Sequence, residues 1–185
     1  MSATNRGSTR EEQDFYATPA WCTEDLLKNF DITQFRYILE PCSGSNAITD
    51  VIINYANSNN LSNIEVITND IRSETPAQYH YDFLTGWEFF CESHKIDAVI
   101  TNPPYTHAMQ FIEKGLSICD TVVMLLRLNF LGSRRRFEFF KAERLEHIYV
   151  LHKRPSFVKG GTDATEYAWF VFKNERKGDA KLRVI

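Results

Sequence analysis

The chain of 185 residues has no apolar run approaching the ~18 residues that a membrane-spanning helix needs. Its opening stretch, MSATNRGSTREEQ, lacks the apolar block of a secretory signal and reads as a flexible, polar lead-in over 1–13. There is no CxxC pair. Cys22, Cys42, Cys91 and Cys119 are widely spaced, so no disulfide framework is expected, and a reducing cytoplasm suits such thiols. Cys91 and His94 make a lone CxxH with no second half, and His147 and His152 have no cysteine partners nearby. No four-ligand zinc pattern exists, and no metal is expected. The chain also lacks a large excess of either charge: a net −3 gives no global basic field for nucleic acid. Repeats, low-complexity segments and linkers are absent, which points to a single domain over 14–185.

What is present is the material of a packed core. Hydrophobic residues make up 43% of the chain and aromatics 14%, which excludes a disordered protein. Positive charge is local. Arg127, the run Arg134-Arg135-Arg136, Lys141, Lys153, Arg154 and Lys159 fall mostly at expected strand-end loops, where they can form an electropositive face.

Helical and strand patterns alternate. A helix is expected over Pro19–Asn29, capped by Thr18 and with Pro19 in its first turn. Further helices are expected over Ala47–Tyr55, ended by the Asn-rich stretch 57–60, and over His107–Ile118, where Met109, Ile112 and Leu116 form one stripe. A fourth begins at Ser133 as its cap and runs to about Ala142. Strands are expected over Arg36–Glu40, Ile64–Thr68, Ile96–Thr101, Thr121–Leu128, Ile148–His152 and Tyr167–Phe172. The β-α-β-α order argues for an α/β fold, a mostly parallel sheet with helices on both faces. The last two strands are joined through Gly160-Gly161 with no helix, so the final one is expected to be an antiparallel hairpin partner.

The tetrapeptide Asn102-Pro103-Pro104-Tyr105 directly follows the apolar run 96–101. Two prolines cannot donate to a sheet or continue a helix interior, so the chain leaves the strand's carboxyl end in a stiff loop. Open α/β sheets place ligands at that edge. An amide, a carbonyl and an aromatic ring converging there suit a planar amino group, on a base or on an amide.

With these residues in place, the chain resembles the class I S-adenosylmethionine (SAM)-dependent methyltransferases. Within them it looks like the N6-adenine DNA methyltransferases, particularly small phage-type ones. The resemblance runs from about Phe15 to Phe172. Phe15-Tyr16-Ala17-Thr18-Pro19 is similar to the family's amino-terminal cofactor motif. Ile38-Leu39-Glu40-Pro41-Cys42-Ser43-Gly44-Ser45 is similar to its first-strand motif. Asn69-Asp70 ends the second strand, where the family holds the cofactor ribose. Tyr81-Asp82-Phe83 resembles the segment that contacts the cofactor adenine. Residues 102–105 match the catalytic motif. Arg154-Pro155-Ser156-Phe157 lies where the family often sets a ring against an extruded base.

The resemblance implies a Rossmann-like, seven-stranded, mostly parallel sheet with an antiparallel terminal hairpin strand. It implies SAM as cofactor and transfer of its methyl group to the N6 amino group of adenine in DNA. Cofactor contacts fall to Tyr16, Thr18, Pro19, Glu40, Pro41, Cys42, Gly44, Asp70, Asp82, Phe83 and Asn102. Catalysis falls to Asn102, Pro103, Pro104 and Tyr105. Glu40 either attracts the cofactor's amino group or positions backbone. Asp70 accepts hydrogen bonds from the ribose hydroxyls, a role that a dinucleotide site shares; the missing GxGxxG and the 102–105 loop decide for SAM. Asp82 is expected to face the adenine amine and Phe83 the adenine ring. Tyr105 and Phe157 are expected to contact the target base, and Arg134, Arg135 and Arg136 its phosphates.

The chain departs from the family at Asn46, where a second glycine or small residue is usual. Asn tolerates left-handed backbone angles better than most residues, so the tight turn survives. The chain carries no stretch matching the target-recognition domain of larger members, so a partner subunit supplying recognition is one expectation. The expected location is a bacterial or phage-infected host cytoplasm. Three alternatives stay open: a related enzyme acting on RNA bases, one acting on a protein glutamine, and a degenerate nucleic-acid-binding module that no longer turns over.

Overall fold

The structure, a computed structural model, describes residues 17–86, 95–142, 144–157, 164–175 and 178–185. These residues build one seven-stranded sheet. Its strands are β1 (Tyr37–Glu40), β2 (Glu65–Thr68), β3 (Ala98–Thr101), β4 (Thr121–Arg127), β5 (Leu145–Val150), β6 (Tyr167–Lys173) and β7 (Lys181–Val184). Their spatial order is β2-β1-β3-β4-β6-β5-β7. Only β6 runs against the others: it is antiparallel to both β4 and β5, while β5 and β7 are parallel. The expected antiparallel strand is therefore present, inserted between β4 and β5. The seventh strand lies beyond Phe172, in a segment whose four residues are all exposed. Its Lys-Leu-Arg-Val alternation is only four residues long, at the short end of what periodicity can identify as a strand.

Among the described residues, four helices pack around this sheet: α1 (Ala20–Leu27), α2 (Ala47–Ser58), α3 (Ala108–Ile118) and the short α4 (Phe137–Lys141). Alternate strand residues point to opposite faces, and the two faces have separate cores. Val122, Met124, Leu126, Ala168, Phe170 and Phe172 pack with Phe111, Ile112 and Leu116 of α3. Val123, Leu125, Trp169 and Val171 pack with Cys22 and Leu26 of α1 and with Ile48 and Ile52 of α2. The indole of Trp169 also donates to the Cys22 carbonyl at 2.8 Å, fixing α1 over the sheet centre.

Two local expectations are corrected. Thr18 does not cap α1. Pro19 is the N-cap, the helix starts at Ala20, and the Thr18 hydroxyl is engaged across the molecule instead. Ser133 makes no capping bond either. The residues after it form a 3-10 turn, Arg134–Arg136, and only then the five-residue α4. Arg136 explains the tight turn: its Nε donates to the Phe130 carbonyl at 2.7 Å, drawing the segment back onto the preceding loop.

Helix α3 approaches the sheet closely at Gly115. A Cβ there would stand 2.7 Å from Cγ2 of Val122, a fully buried side chain. Gly115→Ala is expected to lower stability by about 1–2 kcal/mol, overriding the ~1 kcal/mol that alanine gains in helix propensity. The double variant with Val122→Ala should lose less than the sum of the two single losses. Denaturant titration of both single variants and the double tests it, since a non-interacting pair would give additive losses.

Candidate functional site

The carboxyl ends of β1, β2 and β3 meet where the chain passes to opposite sides of β1, a topological switch point of the kind that holds ligands in open α/β sheets. Glu40, the last residue of β1, is 1% exposed. Its Oε2 accepts from the Thr49 backbone N–H at 3.0 Å and from the Thr49 hydroxyl. Thr49 lies in the first turn of α2, so Glu40 satisfies one of the amides that a helix start leaves unpaired. The N-cap residue, Asn46, makes no side-chain capping bond itself. Glu40 thus positions backbone.

Between them runs the loop 41–46. Gly44 has φ 53° and Asn46 φ 63°, so both sit in the left-handed region. Asn46 adopts the conformation that the sequence required of it, at a modest cost that glycine would not carry. Cys42 stays a neutral thiol, because burial raises its pKa well above the usual value and the carboxylates of Asp70 and Glu40 raise it further.

Asn69 and Asp70 follow β2. Asn69 Nδ2 donates to the carbonyls of Pro41 (3.2 Å) and Tyr81 (3.0 Å), and its Oδ1 accepts from Tyr81 N–H at 2.9 Å. One fully buried amide therefore joins three segments. Asp70 is 4% exposed. Its Oδ2 accepts from Gly44 N–H at 2.8 Å and from Arg72 Nη2 at 3.1 Å; its Oδ1 accepts from Arg72 N–H at 3.0 Å and Nε at 2.9 Å. Burial pushes this carboxyl up, but the Arg72 and Gly44 hydrogen bonds outweigh it and hold the pKa below the ordinary range. Asp70 is anionic at neutral pH, and its four acceptor positions are occupied from within the chain.

Asp82 organises a turn: Oδ1 accepts from Leu84 N–H and Oδ2 from the Thr85 hydroxyl, each at 2.9 Å. Phe83 is only 2% exposed and packs on Phe111 with centroids 5.2 Å apart, so its ring belongs to the core. Tyr16 lies outside the described residues, as do Cys91 and His94.

The 102–105 loop leaves β3 as the sequence suggested. Asn102 Nδ2 donates to the Thr18 hydroxyl oxygen at 3.1 Å, and Thr18 is 5% exposed. This bond links the segment before α1 to the loop after β3 and fixes the plane of the Asn102 amide. Pro103 is buried and Pro104 exposed. The Pro104 carbonyl accepts from His107 N–H at 2.9 Å and is thereby committed to the 3-10 turn at Tyr105–His107.

Tyr105 is half-buried in an aromatic cluster. Its ring lies 5.8 Å from that of Tyr167 and 5.2 Å from the Arg127 guanidinium, and Arg127 Nε donates to the Tyr167 hydroxyl at 3.1 Å. Phe157 joins edge-on to Tyr167 at 5.1 Å and is half-buried against the core on that face of the sheet. Arg154 instead pairs with Glu166. A cavity of about 220 Å³ opens next to Tyr105, walled also by Arg127, Asn129, Phe130 and Arg136. Of the arginine run, Arg134 and Arg135 are exposed. Arg136 is half-buried, held on the Phe130 carbonyl with its guanidinium 4.4 Å from the Phe130 ring.

Sequence reasoning missed Arg72, Tyr167 and the joining role of Asn69. Tyr167 reaches Arg127 because the two residues are register partners across β4 and β6. No local signal carries that pairing. Arg72, two residues after an expected ligand-binding carboxylate, had a readable signal in its charge. Among the described residues, no group of His, Cys, Asp and Glu side chains could hold a metal ion, and no helix is long and apolar enough to cross a membrane.

The fold is that of class I SAM-dependent methyltransferases. Solved structures that share it include a type I restriction-modification methyltransferase subunit from Streptococcus thermophilus, with a TM-score of 0.67 and 13% identity over 91% of this chain and 47% of that one. A candidate RNA methyltransferase from Pyrococcus horikoshii has a TM-score of 0.63 and 16% identity over 86% of each chain. A candidate class I S-adenosylmethionine-dependent methyltransferase from Listeria monocytogenes has a TM-score of 0.58 and 14% identity over 90% of this chain and 62% of that one. The chain thus spans about half of the Streptococcus subunit. No protein-family model and no curated protein sequence matches it.

Burial lifts the Glu40 carboxyl from 4.5 to about 8, against the lowering effect of the Thr49 hydrogen bonds. A carboxyl whose folded pKa lies above its unfolded value supports the fold fully at low pH and loses that support as pH rises toward the folded pKa. Wild-type stability should therefore carry a negative slope of up to ~1.4 kcal/mol per pH unit from this group between about pH 5 and 8. Asp70, with its lowered pKa, acts below that window and in the opposite sense. Glu40→Gln keeps an acceptor for Thr49 and removes the titration. Its melting temperature should gain on wild type as pH rises through the window; a difference independent of pH would show that Glu40 titrates normally.

Proposed function

We propose that the chain is a SAM-dependent methyltransferase acting on the exocyclic N6 amino group of adenine in DNA. The observation that carries this reading is the Asn102 amide, held by Thr18 at the carboxyl end of β3 beside a half-buried Tyr105. The residues at the switch point fit the cofactor. Loop 41–46 turns on two left-handed residues, and among the described residues Ser43 Oγ and Asn46 Oδ1 are buried without hydrogen-bond partners. A polar amino-acid group entering the loop supplies those partners. Asp70 supplies the acceptor for a ribose diol, which must displace or share the Arg72 contacts.

When bound, SAM supplies an electrophilic methyl group on sulfonium sulfur. The chain's part is to make an aromatic amine nucleophilic. The N6 lone pair of adenine is delocalised into the ring. Asn102 Oδ1 and the Pro103 carbonyl accept the two N6 hydrogens, which favours a pyramidal nitrogen with its lone pair free to attack. Tyr105 stacks on the base and holds its plane. Methylation makes the nitrogen cationic and acidic, so its proton leaves to solvent without a dedicated base. Positioning and electrostatics carry the rate. A base in duplex DNA must leave the stack first, and Phe157 and Tyr105 line the receiving side.

A second reading, the same chemistry on RNA, is favoured by one observation: the match to the Pyrococcus protein extends over 86% of both chains. Tritium transfer from labelled SAM to unmethylated DNA and to RNA, followed by digestion to nucleosides, separates the two. Label in N6-methyldeoxyadenosine supports the DNA reading. Label only in ribonucleosides, or only in a glutamine-containing peptide, overturns it.

The variants follow from the geometry. Asn102→Ala should lower the transfer rate by roughly 100-fold or more while SAM affinity by calorimetry persists. Thr18→Val removes only the hydroxyl that orients the amide, so kcat should fall about tenfold with KM for SAM little changed. Asp70→Ala should weaken SAM binding; an unchanged affinity would show that the second-strand carboxylate is not the ribose acceptor.

A further inference from the structure

Phe137 is the exposed phenylalanine among the large apolar side chains left at the surface of the described residues, a group that also includes Ile71, Tyr81 and Leu131. Its neighbours Phe139 and Phe140 pack inward, on Phe172 at 5.7 Å and Phe130 at 5.9 Å respectively. Phe137 opens the same short helix and leaves 59% of its surface exposed. The core gives no reason for a ring there. Its surroundings do. Arg134 and Arg135 are exposed in the preceding 3-10 turn, and Lys141 Nζ lies 5.4 Å from the Phe137 ring while pairing with Glu138 at 3.0 Å. From 127 to 141 the chain holds five cations against one carboxylate, in a protein of net charge −3. The exposed ring directly follows, along the chain, Arg136, a residue that walls the cavity beside Tyr105.

We propose that Phe137, with Arg134 and Arg135, is a stacking platform for a single-stranded nucleic-acid segment adjoining the target nucleotide. This rests on the nucleic-acid reading above. An exposed ring accepts the face of any base, and two guanidiniums take the flanking phosphates, so the platform binds without demanding a sequence. Arg136 is a positioning residue here: its bond to the Phe130 carbonyl sets the turn that presents the ring. The concentration of positive charge selects a polyanion, and the ring selects one whose bases are unpaired.

The test uses the full chain and a fluorescein-labelled single-stranded DNA of about 20 nucleotides, read by anisotropy over a salt series, with the matching duplex beside it. Phe137→Ala should weaken single-strand binding about tenfold and duplex binding much less, and Phe137→Trp should restore it. Arg134→Ala with Arg135→Ala should flatten the salt dependence by a slope of about 1.4. The ring is exposed, so the melting temperature and SAM affinity of Phe137→Ala should match wild type. Wild-type binding that Phe137→Ala leaves unchanged overturns the platform and leaves the proposed function standing. A wild-type chain that binds no oligonucleotide but methylates a glutamine peptide overturns both. Binding to phosphatidylserine vesicles with no retention of DNA overturns the platform in favour of a membrane surface.

Discussion

Three buried polar side chains, Glu40, Asn69 and Asp70, satisfy the backbone where β1 and β2 end, and the candidate site depends on them. Strands that stop at a sheet edge leave donors and acceptors that must be paired once they are buried. Glu40 meets the start of α2, Asn69 ties loop 41–46 to the segment at Tyr81, and Asp70 holds Gly44. Each bond crosses between elements, so the loop geometry and the sheet are set together. Removing one partner leaves a buried group unpaired, which costs more than the bond itself contributes.

The same economy of polar groups shapes the chemistry. Thr18 stands at the position of a helix cap, yet its hydroxyl is committed to Asn102. The beginning of the described chain and the loop after β3 are thereby one unit. Asp70 offers a carboxylate that is anionic and already saturated, with three of its four hydrogen bonds coming from Arg72. Asp82 and Phe83 are engaged in a turn and in the core, and together they shape the 81–86 segment.

How much was readable varied with range. The buried strands β3, β4 and β6 announced themselves as apolar runs, and Asn102-Pro103-Pro104-Tyr105 as a rigid exit from one of them. Asn46 was read as a residue able to turn left-handed, and it does. By contrast, Ser133 looked like a cap because capping is judged from neighbours in sequence. The contact that shapes that segment, Arg136 to the Phe130 carbonyl, folds the chain back on itself. Strand β7 was missed because its four exposed residues take their place from pairing with β5.

By itself, the sequence determined the α/β alternation, the stiff loop after the third strand, the order of the motifs and the left-handed position at Asn46. These depend on hydrophobic periodicity, on proline's fixed geometry and on intrinsic backbone preference, all of which act over a few residues. Only the tertiary structure decided that Glu40 would serve Thr49, that Arg72 would fill the acceptors of Asp70, and that Thr18 would orient Asn102. It also decided that Arg127 and Tyr167 would meet beside Tyr105. Apart from the local Asp70–Arg72 pair, those pairings join separate elements, and they form because burial in a shared interior obliges each polar group to find whatever partner the packing brings within reach.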